Sequence, residues 1–182
     1  MNKLFILLVA AIGSLTFTAT AQNTNTAIGI FEMRTGTTLV KAVGLVGSLK
    51  GGSDTINVRM KETTDVSAGQ RIYGLAIELA GNTSTQSRIL MDDSEIDSLL
   101  SGLDYLIKIK YDITTLPSFE ASFTTKAGLR LMAHSIRREG TIVDSLEFND
   151  HPTISLSSVQ MTQLYDLIAQ AQKSLNGLKN PA

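Results

Sequence analysis

Apolar and polar residues alternate along Thr55-Ile56-Asn57-Val58-Arg59-Met60-Lys61, and this stretch decides the fold class. Successive side chains of a β-strand point to opposite faces, so the pattern places Ile56, Val58 and Met60 on one buried face. The pair Gly51-Gly52 stands just before it and predicts a turn, because glycine adopts positive φ without steric cost. The sequence therefore predicts antiparallel strands in this half of the chain.

The neighbouring segments extend this sheet in both directions. Residues 28–33 and 38–49 are predicted as the first two strands. Residues 70–79 repeat the alternation, with Tyr73 and the leucines and isoleucine that follow it on one side. The other side carries Gly74 and Ala76, and such small residues predict that another segment packs closely there.

Two segments carry helix-start patterns, each directly after a short strand. Asp92 is followed three residues later by Glu95, and Ser157 is followed three residues later by Gln160. Both pairs match the capping box, in which two side chains satisfy free backbone N–H groups at a helix start. Apolar residues recur at helical spacing after each pair, which predicts two amphipathic helices.

The two strand–helix junctions align without a gap, which indicates an internal repeat. Ile89-Leu90-Met91 before Asp92 corresponds to Ile154-Ser155-Leu156 before Ser157. We therefore predict one α+β domain over 22–182, with an antiparallel sheet in two similar strands-then-helix halves at about 27–112 and 117–178. The alternative is that two amphipathic junctions look alike without any duplication.

This order of elements resembles the Whirly, Pur-alpha and transcriptional-coactivator superfold of single-strand-binding proteins. The coactivator-like stretch is Pro152-Thr153-Ile154-Ser155-Leu156-Ser157, followed by a helix. The resemblance implies a strands-then-helix repeat and nucleic-acid binding through basic and aromatic residues on the sheet. The chain departs from that chemistry because few aromatic residues interleave with cations. It also resembles exported bacterial proteins of no assigned function, and that likeness implies no activity.

The N-terminus predicts export. A cationic start, Met1-Asn2-Lys3, leads into an apolar run over 4–17, and the small residues Ala19 and Ala21 follow. This order is typical of a cleaved secretory signal, and the run is shorter than the ~20 residues that span a bilayer. We expect residues 1–21 to be a signal peptide and the mature chain to be periplasmic or secreted. An uncleaved membrane anchor is the alternative.

Composition excludes several classes of function. The chain has no cysteine, which excludes thiol catalysis, zinc–thiolate sites and disulfide scaffolds. Its formal net charge of -1 argues against nucleic-acid binding, since such proteins usually carry a basic footprint. No phosphate loop or metal-ligand motif is found. The sequence therefore predicts no cofactor and no metal.

Histidines are the candidates for acid–base chemistry. A hydrolase-like enzyme would pair His134 or His151 with a carboxylate such as Asp144 or Asp150 and with a hydroxyl nucleophile. No nucleophile-elbow sequence frames a serine, so no catalytic residue is assigned. The alternative is that both histidines are ordinary surface residues.

A second candidate is a ligand-binding patch on one strand. Alternation places Arg130, His134 and Arg138 on one side. With Arg59 and Lys61 on a neighbouring strand, they would form a cationic patch for an anionic ligand. The alternative is a solvated sheet face, which antiparallel sheets often have.

An acidic cluster is the third candidate. Asp92, Asp93, Glu95 and Asp97 would offer carboxylate oxygens to calcium. They lack the glycine and the distant bidentate acid of an EF-hand loop, and acids at a helix start favour capping.

The sequence thus favours an exported protein with a non-enzymatic binding or structural role. Its partner is predicted only as a protein or a small ligand. The alternatives are a hydrolase-like enzyme that uses His134 or His151, and a protein that binds polyanions or nucleic acid through the sheet face.

Overall fold

A computed structural model describes residues 26–81, 87–136, 141–147 and 153–180. Its eight strands are β1 (Leu39–Gly51), β2 (Asp54–Asp65), β3 (Gln70–Ala80), β4 (Ser87–Asp92), β5 (Ser118–Thr124), β6 (Arg130–Ile136), β7 (Thr141–Glu147) and β8 (Ile154–Leu156). Its three α-helices are α1 (Ala27–Glu32), α2 (Ile96–Lys108) and α3 (Ser158–Lys179).

The strands form two antiparallel sheets, each in simple chain order. The first sheet is β1-β2-β3-β4 and the second is β5-β6-β7-β8. Each sheet is followed along the chain by a long helix, so the prediction of an α+β fold in two strands-then-helix halves is confirmed. The predicted turn between β1 and β2 is also present, with Gly52 at a φ of 64°.

One hydrophobic core joins the two sheets to α2 and α3. The helices cross between the halves: α2 packs on β5 and β6, whereas α3 packs mainly on β1, β2 and β3. A glycine permits close approach at each contact, Gly47 against Leu167 of α3, and Gly102 of α2 against Phe123. Burial of each large apolar side chain contributes about 1.5–3 kcal/mol, so each of these helices stabilises the sheet of the other half.

The first element of the described chain is a helix, so the prediction of a strand over 28–33 is wrong. Helix α1 begins after Thr26, whose side chain accepts a hydrogen bond from the backbone N–H of Gly29. The carboxylate of Asp92 accepts two more, from the N–H groups of Ala27 and Ile28, each at 2.8 Å. Short apolar runs do not separate strand from helix by period alone, and here the distant carboxylate favours the helix.

Helix α1 lies on the outer face of the first sheet, the face turned away from the main core. Ile28 is fully buried there with Ala76 and Leu90, and it approaches Gly74 so closely that a Cβ atom at that position would touch it. The predicted close packing against Gly74 and Ala76 is therefore confirmed.

A buried ion pair also holds α1 on the sheet. Lys61 Nζ lies 2.7 Å from Glu32 Oε1, and both side chains are almost fully buried. Thr63 donates a hydrogen bond to the same carboxylate at 2.7 Å. Burial alone would raise the pKa of the Glu32 carboxyl, but the hydrogen bonds from Lys61 and Thr63 and the charge of Lys61 bring it below the usual 4.5.

The two predicted capping boxes have different outcomes. Ser157 and Gln160 form both reciprocal hydrogen bonds, so the second box is confirmed. The first is wrong, because Asp92 makes no cap hydrogen bond to the short 3-10 helix that precedes α2. Its carboxylate binds α1 instead, and Glu95 Oε2 accepts from the backbone N–H of Lys126 at 2.7 Å.

The predicted signal peptide, with Ala19 and Ala21, lies outside the described residues, and so do His151, Asp150 and Arg138. Within the described ranges, no helix is long and apolar enough to cross a membrane.

Candidate functional site

Arg130 and His134 lie on the outer face of the second sheet, as alternation predicted. In the antiparallel register Arg130 is opposite Glu147, and His134 is opposite Glu120 on the other neighbouring strand. Ser145 shares this face because it is opposite Met132. We call Glu120, Arg130, His134, Ser145 and Glu147 the His134 cluster.

The His134 cluster is not a cationic patch. Arg130 lies 2.6 Å from a carboxylate oxygen of Glu120 and 3.5 Å from one of Glu147. Two carboxylates against one guanidinium leave a negative charge when His134 is neutral. The predicted neighbours Arg59 and Lys61 belong to β2 in the first sheet, so that part of the prediction is wrong.

A serine and a carboxylate flank His134, which matches the composition of a hydrolase triad but lacks its geometry. His134 Nε2 lies 3.3 Å from Ser145 Oγ, and Nδ1 lies 3.8 Å from Glu120, which is too long for a hydrogen bond. Ser145 is only 1% exposed. It lies on β7, which is paired on both sides, so the sheet ladder uses its backbone N–H and leaves no oxyanion donor there.

Asp144, the predicted carboxylate partner of His134, lies next to Ser145 on β7 and therefore points to the opposite face of the sheet. It is opposite Ala133 in the register and is 6% exposed. Burial raises the pKa of its carboxyl above the usual 3.8, and the charge of His134 opposes that shift. Asp144 therefore cannot orient the His134 ring by a direct hydrogen bond across the sheet.

The acids around the start of α2 have structural partners, but none of them makes a cap hydrogen bond there, so the capping interpretation is wrong. Asp93 lies 2.7 Å from Lys179 Nζ, and Asp97 accepts a hydrogen bond from Gln172 at 2.5 Å. Both contacts tie α3 to this junction. In the described ranges no group of three or more potential metal ligands comes together.

A different site stands on the outer face of the first sheet, beside the part that α1 covers. Asn57, Glu78 and Arg88 are directly opposite one another across β2, β3 and β4, and Arg59 is the next outward residue along β2. Together with Leu79, Ala80 and Ser87 they line a pocket of about 340 Å³. We call it the Arg88 pocket.

The charges in the Arg88 pocket are unbalanced. Glu78 Oε2 accepts a hydrogen bond from Arg59 Nε at 2.6 Å. Arg88, although directly opposite Glu78, is partly buried and makes no hydrogen bond or ion pair with any residue that the structure describes. Two guanidinium groups against one carboxylate leave one positive charge, which favours an anionic ligand.

The field of Arg88 reaches the buried ion pair under α1. Burial lowers the pKa of the Lys61 ammonium below the usual 10.5, and the hydrogen bond and charge of Glu32 oppose that shift. The positive charges of Arg88 and Lys41 add to the lowering. The guanidinium of Arg88 is therefore close enough to Lys61 to disfavour the ammonium form.

Sequence reasoning missed the Arg88 pocket. Alternation along β2 places Asn57 and Arg59 on the polar face, but it does not say which strands lie beside them. The register that brings Arg88 opposite Glu78 depends on the β3–β4 pairing, which a single sequence does not specify. The one feature of the sequence that points to this pocket is the set of charged residues on the polar faces of consecutive predicted strands.

Comparisons of the sequence with known proteins identify no family from which a function could be inferred. The chain matches no protein-family model, and a search of curated proteins finds no similar sequence.

Proposed function

We propose that this protein is an exported, non-enzymatic binding protein that holds a small anionic ligand in the Arg88 pocket. The observation that carries the proposal is the unpaired, partly buried charge of Arg88 among the described residues. A cation that leaves bulk water without a partner is unfavourable. An anionic ligand would supply the missing partner through charge-assisted hydrogen bonds, which are about twice as strong as neutral ones.

The size and position of the pocket agree with this role. Its volume of about 340 Å³ falls near the lower end of the ~300–1,000 Å³ that small-molecule sites occupy. It is built on three adjacent strands, so the side chains that line it stand on a rigid frame.

The non-enzymatic part rests on the chemistry of both faces. The described residues that line the Arg88 pocket include no histidine. No hydroxyl group there has an imidazole beside it that could activate it as a nucleophile. The His134 cluster has such a pair, but Ser145 is buried and its backbone lies in the sheet ladder between β6 and β8. These features favour binding over hydrolysis.

Nucleic-acid binding, which the resemblance to single-strand-binding proteins implies, has less support. Aromatic side chains that would stack on bases are turned inward on the second sheet: Phe123 packs against the core, and Phe119 makes an edge contact with Tyr111. In the part of the chain that the structure describes, neither outer sheet face combines an aromatic platform with a cationic groove.

Isothermal titration with phosphate, acetate and gluconate tests the proposal. We expect at least one of these anions to bind native protein with a Kd in the millimolar to high-micromolar range, as for other small polar ligands (~-4 to -6 kcal/mol). Arg88→Met should weaken that binding about tenfold or more, because it removes a charge-assisted interaction.

Arg130→Met is the matched control, since it removes a guanidinium from the outer face of the other sheet. It should leave the affinity unchanged. Equal weakening by both variants, or no anion bound by the native protein, would contradict the proposal. Circular dichroism establishes that each variant is folded before its affinity is compared.

A further inference from the structure

We infer that the ligand of the Arg88 pocket is a small polyhydroxylated carboxylate, a molecule that carries hydroxyl groups as well as one anionic group. This inference rests on the proposed function and specifies its ligand class. It follows from the hydrogen-bonding capacity that the lining residues leave unused.

Hydrogen-bond donors lie on both strands that flank Glu78, β2 and β4. Asn57 Oδ1 accepts a hydrogen bond from Ser48 Oγ at 2.6 Å, so the side-chain NH₂ of Asn57 is turned away from that contact with two donors to offer. Arg88 offers its whole guanidinium fork. Arg59 uses Nε on Glu78 and retains its two terminal nitrogens.

An acceptor lies among these donors. Glu78 gives Oε2 to Arg59, and its other carboxylate oxygen has no hydrogen-bond partner among the described residues. A simple anion would satisfy the donors but would be repelled by this oxygen. A ligand with hydroxyl groups beside its carboxylate satisfies both, because the carboxylate accepts from Arg88, one hydroxyl donates to Glu78 and another hydroxyl accepts from Asn57.

The register places these groups at sheet spacing. Asn57, Glu78 and Arg88 stand on three consecutive strands, and neighbouring strands lie about 4.8 Å apart. The acceptor is therefore one strand from each donor, so a ligand must place its hydroxyl about one strand spacing from its carboxylate. No aromatic residue is among the described residues that line the pocket, so recognition depends on hydrogen bonds rather than on stacking.

Three probes of equal carbon-chain length test the inference: gluconate, hexanoate and sorbitol. Gluconate has both kinds of group, hexanoate has only the carboxylate, and sorbitol has only hydroxyl groups. We expect gluconate to bind about tenfold or more tightly than either of the others, the size of one charge-assisted hydrogen bond.

Glu78→Gln provides a second, independent readout. Without the negative charge, hexanoate should bind more tightly than it does to native protein, and the gluconate-to-hexanoate affinity ratio should fall toward one. Glu147→Gln, which changes a carboxylate of the His134 cluster, should preserve the ratio. The comparison of probes on native protein remains decisive if Glu78→Gln does not fold.

The outcomes separate this inference from the proposed function. Equal Arg88-dependent binding of gluconate and hexanoate would overturn the inference and leave anion binding intact. Sorbitol that binds as tightly as gluconate, or gluconate binding that survives Arg88→Met, would overturn the proposed function itself.

Discussion

Two arginines lie on outer sheet faces and differ in what surrounds them: Arg88 is on the edge strand β4, and Arg130 is on the inner strand β6. Arg130 has carboxylates on both neighbouring strands. Glu78, the carboxylate opposite Arg88, instead pairs through Oε2 with Arg59. The alternation in the sequence predicted the face on which Arg130 lies, but it does not predict which carboxylates lie on the neighbouring strands. The ligand-binding prediction for Arg130 and His134 stays a prediction, and its cationic rationale does not hold.

Asp144 gives a residue-level test of the second sheet. One of its carboxylate oxygens is buried without a hydrogen-bond partner among the described residues, and burial raises the pKa of the group above 3.8. Between pH 3.8 and the raised pKa, the folded state therefore binds more protons than the unfolded state. The free energy of unfolding falls as the pH rises through that window.

We expect Asp144→Asn to increase the free energy of unfolding at neutral pH, by on the order of 1 kcal/mol. Well below pH 3.8 the carboxyl is protonated in both states, so native protein and variant should converge. Urea unfolding at several pH values measures this. Asp112→Asn, at an exposed position, should change little. A less stable Asp144→Asn at neutral pH would mean that the carboxylate makes a stabilising contact.

At the scale of elements, the long periodic segments were predictable and the short one was not. Helix α3 begins at the predicted capping box because Ser157 and Gln160 are local to it. Helix α1 has six residues, too few for its own period to identify it, and its N-terminus depends on Asp92 from β4. The local sequence of α1 does not reveal that distant carboxylate.

Replacement of Asp92 tests whether it holds α1 in place. Asp92→Ala removes both hydrogen bonds to α1, and we expect it to destabilise the protein by about 1 kcal/mol, as for other lost helix caps. Hydrogen exchange should quicken at the amide of Ile28, which donates to Asp92 at 2.8 Å.

Asp104→Ala is the control for Asp92→Ala. Asp104 pairs with Lys108 on an exposed surface of α2, and such a pair contributes only about 0.3–0.5 kcal/mol. An Ile28 amide that stays equally protected in both variants would show that Asp92 does not anchor the helix.

At the scale of the whole molecule, the repeated order of strands and helix could be predicted from the two junctions, but the crossing of the helices could not. An amphipathic stripe specifies that a helix is covered, not which sheet covers it. The close contacts of Gly47 with Leu167 and of Gly102 with Phe123 fix each helix on the sheet of the other half. Common ancestry of the halves, the resemblance to single-strand-binding proteins and export stay predictions.

The crossed helices explain why both functional candidates lie on outer faces. Since α2 and α3 share one hydrophobic core with the two sheets, the core-facing sides of the sheets are covered, and the two candidates lie on the sides turned away from it. Helix α1 covers part of the first of these surfaces, and the Arg88 pocket opens beside it. The His134 cluster occupies the other.

A gluconate titration followed by nitrogen–proton correlation spectroscopy tests most directly whether the ligand site lies on the first sheet. We predict that the largest shifts fall at Asn57, Glu78 and Arg88, with Arg130 and His134 unmoved. Shifts that cluster at Arg130 and His134 instead, or a spectrum that gluconate leaves unchanged, would contradict a site on the first sheet.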